Sequence, residues 1–281
     1  MSLYQIGEVF GHAVEDDSTL ARRNQAKRAC PFRGGPCTKG NIKDPLGICS
    51  LTDGSRLATV CPVRFIEGGR VFKDVGRLAF GSGVKIIAAP EVRILRVTKL
   101  NDTGGRAHKI GKVDYLIARL DSQRKPVDFA ALEVQAVYFS GASVRGAFQH
   151  FLKYRKLPPG SGRRPDWRSS AQKRLMPQLS LKIPVFRRWG KKFFVAVDSN
   201  FYGSLPAIRT IPSFANSEIT WLVYPFARGT QGYAMGQAEA RFSTWDEVVT
   251  SLREGEAPDP SEVIEEIQWK MESAHLAVLT T

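Results

Sequence analysis

Residues 113–138, VDYLIARLDSQRKPVDFAALEVQAVY, contain two apolar segments separated by a short polar one. The segments Val113–Leu120 and Val127–Tyr138 are rich in β-branched and aromatic residues, which is typical of β-strands. The polar residues Asp121–Pro126 between them are typical of a turn. This stretch therefore predicts a β-hairpin.

The hairpin carries two carboxylates that face each other in the predicted pairing. A symmetric connection places Asp114 opposite Glu133, and opposite residues have Cβ atoms about 4.5–5.5 Å apart. Gln135 points to the same face as Glu133, because side chains alternate along a strand. Two carboxylates this close in apolar strands repel each other unless a cation lies between them, and Mg²⁺ prefers such oxygen ligands. A pair that simply faces solvent on an edge strand fits the same spacing.

Further strands and helices are predicted around the hairpin. Strand-like segments lie at Val92–Leu100, Lys192–Val197 and Ile219–Tyr224. Apolar residues at helical spacing predict a helix over Val144–Leu157, and capping boxes at Thr244 and Asp259 predict two closing helices. Strands and helices in this order predict an α/β fold.

The charge of the chain is unevenly distributed. It has 41 Lys and Arg against 27 Asp and Glu, a net charge of +14. Residues 22–43 hold seven basic and no acidic residues, residues 145–192 hold fourteen basic and one acidic, and residues 246–281 hold nine acidic and two basic. Such segregation favours a polyanionic partner, most commonly nucleic acid.

Composition excludes several other classes of protein. The hydrophobic content of 43% is too high for a disordered chain. No apolar run approaches the length of a membrane span, and the first residues do not have the pattern of a signal peptide. We therefore expect a soluble, intracellular protein with no membrane partner.

All four cysteines lie among the first 61 residues, at Cys30, Cys37, Cys49 and Cys61, with the spacing C-x6-C-x11-C-x11-C. The segment between them has little apolar periodicity and is not expected to build a core of its own. Four thiolates around one tetrahedral metal would organise it, and both zinc and iron accept such ligands. Because there is no C-x2-C pair, two disulfides or four unconnected thiols remain open, although disulfides are rare inside cells.

Asp114, a gap of eighteen residues and then Glu133-Val-Gln135 resemble the motif of the PD-(D/E)XK nucleases, in the variants with Glu-x-Gln in place of Glu-x-Lys. With the four cysteines and the basic charge, the pattern resembles the NotI-type type II restriction endonucleases over roughly residues 20–200. The resemblance implies a restriction-endonuclease-like core, with a mixed central sheet flanked by helices, and an N-terminal four-cysteine metal-binding module. The module would occupy residues 1–75. The nuclease core would occupy residues 76–281, with a basic DNA-binding segment at 145–192 and C-terminal helices.

The same resemblance implies roles for individual residues. Asp114 and Glu133 would bind Mg²⁺, and Gln135 would take the position of the usual lysine. The four cysteines would bind iron, with zinc as the alternative. An amide carries no charge, so positive charge at the phosphate would come from the metal or from another residue, for which Lys112 and Lys182 are candidates.

Glu91, just before the strand-like segment at Val92–Leu100, is a candidate for a further carboxylate in the site. Arginine pairs bidentately with guanine, so five arginines of the second basic run are candidate DNA contacts: Arg163, Arg164, Arg168, Arg187 and Arg188.

The resemblance also implies partners and a product. A homodimer would cut double-stranded DNA at a GC-rich palindrome and leave 5′-phosphate and 3′-hydroxyl ends. It would work in the bacterial cytoplasm beside a companion DNA methyltransferase. Two alternatives remain: a non-catalytic nucleic-acid-binding protein stabilised by a four-cysteine metal site, and a structure-specific repair or recombination nuclease of the same fold.

Overall fold

The computed structural model describes residues 3–97, 108–140, 144–229, 232–253 and 258–273. In these residues the strands are β1 (Gln5–Val9), β2 (His12–Ala13), β3 (Ala29–Cys30), β4 (Gly35–Pro36), β5 (Ile48–Thr52), β6 (Leu57–Thr59), β7 (Ile86–Val97), β8 (His108–Leu120), β9 (Pro126–Val134), β10 (Tyr138–Ser140), β11 (Arg164–Asp166), β12 (Phe193–Asp198), β13 (Ile219–Tyr224), β14 (Phe226–Gly229), β15 (Gly232–Met235) and β16 (Glu239–Ser243). The helices are α1 (Thr19–Ala26), α2 (Arg70–Phe80), α3 (Arg145–Tyr154), α4 (Trp167–Ser169), α5 (Met176–Arg188), α6 (Ser199–Ser204), α7 (Trp245–Arg253) and α8 (Pro260–Ser273), with a 3₁₀ segment at Pro62–Gly69 and a π-helical segment at Ser170–Leu175.

The largest sheet has six strands in the order β16-β13-β12-β9-β8-β7. Strand β12 runs parallel to both β9 and β13, and the other neighbours are antiparallel. Helices cover both faces of this sheet. The predicted α/β fold, with a mixed central sheet flanked by helices, is confirmed.

The two faces of the sheet are separated by the alternation of its side chains. In β12, Phe193 and Val195 pack with Leu179 and Ile183 of α5. Phe194 and its neighbours in β9 pack on the opposite face, against α2. Full burial of a large apolar side chain contributes about 1.5–3 kcal/mol, so this alternation holds α5 firmly against the face on which Glu133 lies.

The predicted hairpin is formed by β8 and β9, and its register is the one expected. Tyr115 pairs with Leu132 and Arg119 pairs with Asp128, and the register shifts only beside the turn. The second predicted strand, Val127–Tyr138, is too long, because β9 ends at Val134. The reason is that Val137 N–H donates to the carbonyl of Thr59, in the neighbouring N-terminal sheet, at 2.8 Å.

A second sheet, of order β2-β1-β5-β6, is built from the N-terminal residues. Its buried side chains Ile6, Phe10 and Leu51 pack with Phe148 and Phe151 of α3. The cysteine segment, residues 30–61, thus gives two strands, β5 and β6, to this sheet and contributes to a hydrophobic core, which its weak apolar periodicity did not indicate. That core needs strand β1 and helix α3, both outside the segment. A boundary between residues 75 and 76 stays a prediction.

Buried polar contacts fix the N-terminal sheet against the end of β12. Asp198 accepts the backbone N–H of Thr59 at 3.0 Å and that of Phe201 at 2.7 Å, so it also caps α6. The side chain of Asn200 donates to the carbonyl of Leu57 at 2.7 Å. Burial raises the pKa of Asp198 to about 6. The cysteine segment is therefore held close to the central sheet.

The remaining predicted elements agree in part with the structure. The helix predicted over Val144–Leu157 is the shorter α3, which ends before Arg155 in the left-handed conformation at φ 60°. The strand predicted from Val92 begins earlier in the structure, and residues 98–100 lie outside the described part of the chain. Both closing helices begin as predicted, after Thr244 and Asp259. Within the described ranges, no helix combines the length and apolarity that a membrane crossing requires.

Candidate functional site

A cavity of about 680 Å³ lies where β9 ends, between the central sheet, the cysteine segment and the start of α5. The predicted residues Asp114, Glu133 and Gln135 all line it. Its other polar or thiol-bearing lining residues are Cys30, Arg33, Cys37, Thr38, Lys39, Cys61, Tyr138, Lys173, Arg174 and Gln178. Parts of the chain that are far apart in sequence therefore meet at one cavity.

Asp114 and Glu133 lie beside each other across the hairpin. The backbone N–H of Asp114 donates to Glu133 Oε1 at 3.2 Å, and the backbone N–H of Val134 donates to Asp114 Oδ2 at 2.9 Å. Each carboxylate thus bonds to the backbone of the other strand. These reciprocal bonds fix both side chains at the last residues of β9.

The surroundings of the two carboxylates disfavour their charged forms. Burial, followed by repulsion from Asp114, raises the pKa of Glu133 to about 7, against the opposing effect of Lys182. The pKa of Asp114 is also raised, chiefly by burial, although the bond from Val134 N–H lowers it. An acidic pair of this kind gains stability when a cation binds between its members.

Gln135 lies directly after the end of β9, two residues beyond Glu133. It is buried, its backbone N–H donates to the carbonyl of Ala196 at 2.9 Å, and its Nε2 donates to the carbonyl of Ala136 at 2.6 Å. The side-chain amide is therefore held at the cavity wall by its own neighbouring residue.

The two candidate lysines differ in burial and in the residues that they contact. Lys182, on α5, is buried, and its Nζ donates to Glu133 Oε1 at 2.6 Å. Lys112 is exposed and pairs with Glu91 at 2.7 Å. Glu91 lies on β7, and its side chain is 72% exposed, so it is not among the residues that line the cavity.

The four cysteines are buried, and none of them forms a disulfide. Burial raises the pKa of the thiols of Cys30, Cys37 and Cys49, and the nearby Cys61 raises each of them further. Cys61 thus lies near all three of the others. Within the described residues, no group of three or more His, Cys, Asp and Glu side chains is arranged to hold a metal ion.

Backbone groups beside two of the cysteines oppose the effect of burial. The backbone N–H groups of Arg33 and Phe32 lower the pKa of Cys30, and that of Lys39 lowers the pKa of Cys37. The Nζ of Lys39 donates to the carbonyls of Ile48 and Val60, at 2.8 Å each. Burial lowers the pKa of Lys39, whereas the cysteines beside it raise that pKa. Such donors and a nearby cation offset part of the effect of burial on these thiols.

The two basic runs of the sequence meet at the cavity. Arg33 and Lys39 come from residues 22–43, and Lys173 and Arg174 come from residues 145–192. The guanidinium of Arg174 lies over the ring of Tyr138, 3.3 Å from its centroid. Positive charge therefore surrounds the acidic pair on two sides.

The five predicted DNA-contacting arginines lie elsewhere on the surface. Arg164 and Arg168 are exposed near β11, and Arg163 exchanges backbone hydrogen bonds with Tyr4. Arg187 and Arg188 lie at the far end of α5, where Arg187 pairs with Glu218 at 2.8 Å. None of the five lines the cavity that holds the acidic pair.

Residues 8–237 match the family model of restriction endonuclease NotI. The chain belongs to the NotI restriction endonuclease family. The matched residues include the acidic pair, Gln135, the four cysteines and the second basic run, and they end before α7. No curated protein sequence matches the chain.

Membership of this family makes the chain a type II restriction endonuclease with DNA as its substrate. The predicted family and enzyme class are confirmed. Membership also implies a divalent metal cofactor. Mg²⁺ is commonly held by one or two carboxylates together with substrate phosphates, so the pair formed by Asp114 and Glu133 fits this cofactor.

Seven polar residues that line the cavity were not among the predicted site residues, namely Arg33, Thr38, Lys39, Tyr138, Lys173, Arg174 and Gln178. Four of them are basic residues of the two runs, so the charge distribution was the signal that could have indicated them. Tyr138 and Gln178 carry no such signal, because only the packing of β10 and α5 brings them to the cavity.

Replacing Asp114 with asparagine is expected to stabilise the metal-free enzyme at pH 8 by about 1–2 kcal/mol. Both carboxyls have pKa values raised by folding, so their ionised forms destabilise the native state at high pH. The gain should be complete above about pH 7, where Glu133 ionises, and should disappear as the pH falls towards 4. Urea unfolding at several pH values in the presence of EDTA measures it.

Asp128→Asn is the matched control on the same hairpin. Asp128 pairs with Lys191 at 2.6 Å, and its pKa is lowered by that contact despite some burial. Its replacement should therefore lower stability slightly at pH 8, by about 0–1 kcal/mol. Equal effects of both substitutions would show that Asp114 is not destabilised by its acidic neighbour.

Proposed function

We propose that this restriction endonuclease hydrolyses double-stranded DNA at a GC-rich palindrome, in a Mg²⁺-dependent reaction that leaves 5′-phosphate and 3′-hydroxyl ends. The observation that carries the proposal is the position of Asp114 and Glu133, which meet at a cavity bordered by basic residues from both runs. Basic side chains bind the DNA backbone, and a paired carboxylate site holds the metal that phosphodiester hydrolysis uses. The central sheet is then the PD-(D/E)XK core.

In this proposal Asp114 and Glu133 hold Mg²⁺, which supplies a more acidic bound water and polarises the phosphate. Gln135 orients the attacking water by hydrogen bonding once its amide turns from the carbonyl of Ala136. Arg33, Lys173 and Arg174 bind phosphates beside the reaction centre. The residues needed for binding, orientation and metal ligation are all within reach of one cavity.

We further propose that the four cysteines hold a structural iron ion, with zinc as the alternative. Their burial, their free thiols and the amide donors near Cys30 and Cys37 suit an all-sulfur site. Residues 1–75 then form the metal-binding module and residues 76–281 the nuclease core.

A palindromic site suits a two-fold homodimer in which each subunit cuts one strand. Arg163, Arg164, Arg168, Arg187 and Arg188 are proposed to contact DNA outside the cavity, where bidentate pairing with guanine suits a GC-rich site. A companion DNA methyltransferase would protect the host DNA in the bacterial cytoplasm.

Digestion of a long unmodified DNA with Mg²⁺, followed by sequencing of the fragment ends, tests the proposal. Discrete fragments with identical termini at one GC-rich palindrome are expected, and EDTA should prevent their formation. A smear of fragments would indicate a structure-specific repair or recombination nuclease. Intact DNA that is nevertheless bound would indicate a non-catalytic binding protein.

A further inference from the structure

We propose that Lys182 of α5 is a catalytic residue that supplies the positive charge missing from the Glu133-x-Gln135 motif. The inference rests on the proposed function, because it assigns a role within the same site. In most nucleases of this type a lysine follows the acidic residue along the strand, whereas here the cation comes from a helix packed against the sheet.

Lys182 is buried on the face of α5 that packs against the central sheet. Its side chain is 5% exposed, in a row of α5 residues that otherwise bury apolar groups, including Leu179, Ile183 and Phe186. A methionine or leucine would fill this position without the cost of removing an ammonium group from water. Packing alone therefore does not explain a lysine there.

Lys182 contacts two side chains of the cavity. Lys182 Nζ lies 2.6 Å from Glu133 Oε1 and 3.3 Å from Gln178 Oε1, and both of these partners line the cavity. An ammonium group has three protons to donate, and the contacts with Glu133 and Gln178 use two. The third proton can reach a phosphate oxygen or a water held beside Glu133.

The other cations near the site are less suited to this role. Lys112 is exposed and pairs with Glu91. Lys39 donates its Nζ to the carbonyls of Ile48 and Val60. Arg33, Lys173 and Arg174 line the cavity but are exposed, so water screens their charges. Charge stabilisation is strongest where water is excluded, and Lys182 combines burial with direct contact to a proposed metal ligand.

The test measures single-turnover cleavage at saturating DNA and Mg²⁺ for Lys182→Met and Lys182→Gln. The glutamine variant can still donate to Glu133 but carries no charge, so it separates charge from hydrogen bonding. Both variants should cut at least about 100-fold more slowly, while DNA affinity and the half-saturating Mg²⁺ concentration change by no more than about threefold. Lys182→Arg should recover at least about a tenth of the wild-type rate.

Lys112→Met is the matched control, and its rate should stay within about twofold of the wild-type rate. If Lys182 only neutralises Glu133 in the metal-free site, saturating Mg²⁺ takes over that role and both variants cut at the wild-type rate, which overturns the inference. Thermal unfolding shows whether the methionine variant folds, and the glutamine variant decides the matter if it does not. A wild-type protein that fails to cut DNA refutes the proposed function instead.

Discussion

Replacing Glu133 with alanine is expected to reduce DNA cleavage by at least about 1,000-fold, equivalent to about 4 kcal/mol of lost transition-state stabilisation. Glu133 borders the cavity, receives the N–H of Asp114 and the Nζ of Lys182, and is one of two carboxylates proposed to hold the metal. Its removal leaves Asp114 alone, so the site should no longer retain Mg²⁺ in a productive position. DNA affinity, which depends on the basic side chains, should stay within about tenfold. Single-turnover cleavage and equilibrium binding without Mg²⁺ measure the two effects.

Two further variants separate chemistry from folding. Glu133→Gln keeps an oxygen that can accept from Asp114 N–H and from Lys182, so it should fold and show the same loss of cleavage. Asp128→Ala removes a carboxylate from the same strand, but one that pairs with Lys191 on another surface, and it should cut normally. Full activity of Glu133→Ala would refute the assignment of this carboxylate to the reaction.

If the proposed structural metal is bound, replacing Cys61 with serine is expected to release it and to lower the stability of the fold by at least about 3 kcal/mol. Cys61 is the cysteine whose charge raises the pKa of each of Cys30, Cys37 and Cys49, so it lies near all three. A structural metal adds its binding free energy to folding. Elemental mass spectrometry and thermal unfolding measure the two effects.

Ser50→Ala is the matched control for this cysteine variant. Ser50 lies beside Cys49 in β5, it is buried, and its hydroxyl has no hydrogen-bond partner among the described residues. Its replacement should leave metal content and stability nearly unchanged. Less than about half an equivalent of iron or zinc in the wild-type protein would count against the metal site itself. Unchanged unfolding of the serine variant would count against its structural role.

The hairpin is the part of the candidate site that local sequence predicts. The side-chain period of two and the short polar turn predict that Asp114 faces Glu133, and the register of β8 and β9 agrees. These features depend only on neighbouring residues and on strand geometry. The end of β9 was not predictable in the same way, because a bond from Val137 to Thr59 of another sheet ends it.

The contact that Lys182 makes could not be predicted from local sequence. The helical spacing of Leu179, Ile183 and Phe186 around Lys182 indicates that the charge of this residue is buried. The same spacing does not predict which residue pairs with that charge. The partner is Glu133, 49 residues earlier in the chain. Only the packing of α5 on one face of the central sheet brings the two side chains into contact, and that packing depends on the shape and burial of many residues at once.

The sequence by itself determined the family, the α/β class, the acidic hairpin and the clustering of cysteines and basic residues, because each depends on residue type and spacing along the chain. Tertiary structure alone decided that the cysteine segment, both basic runs and α5 converge on the end of β9. It also decided that Lys182, and not Lys112, contacts Glu133. The physical reason is that the burial of apolar surface determines how sheets and helices pack. The free energy of this burial is a sum over all residues of the core, and not only over residues that are neighbours in sequence.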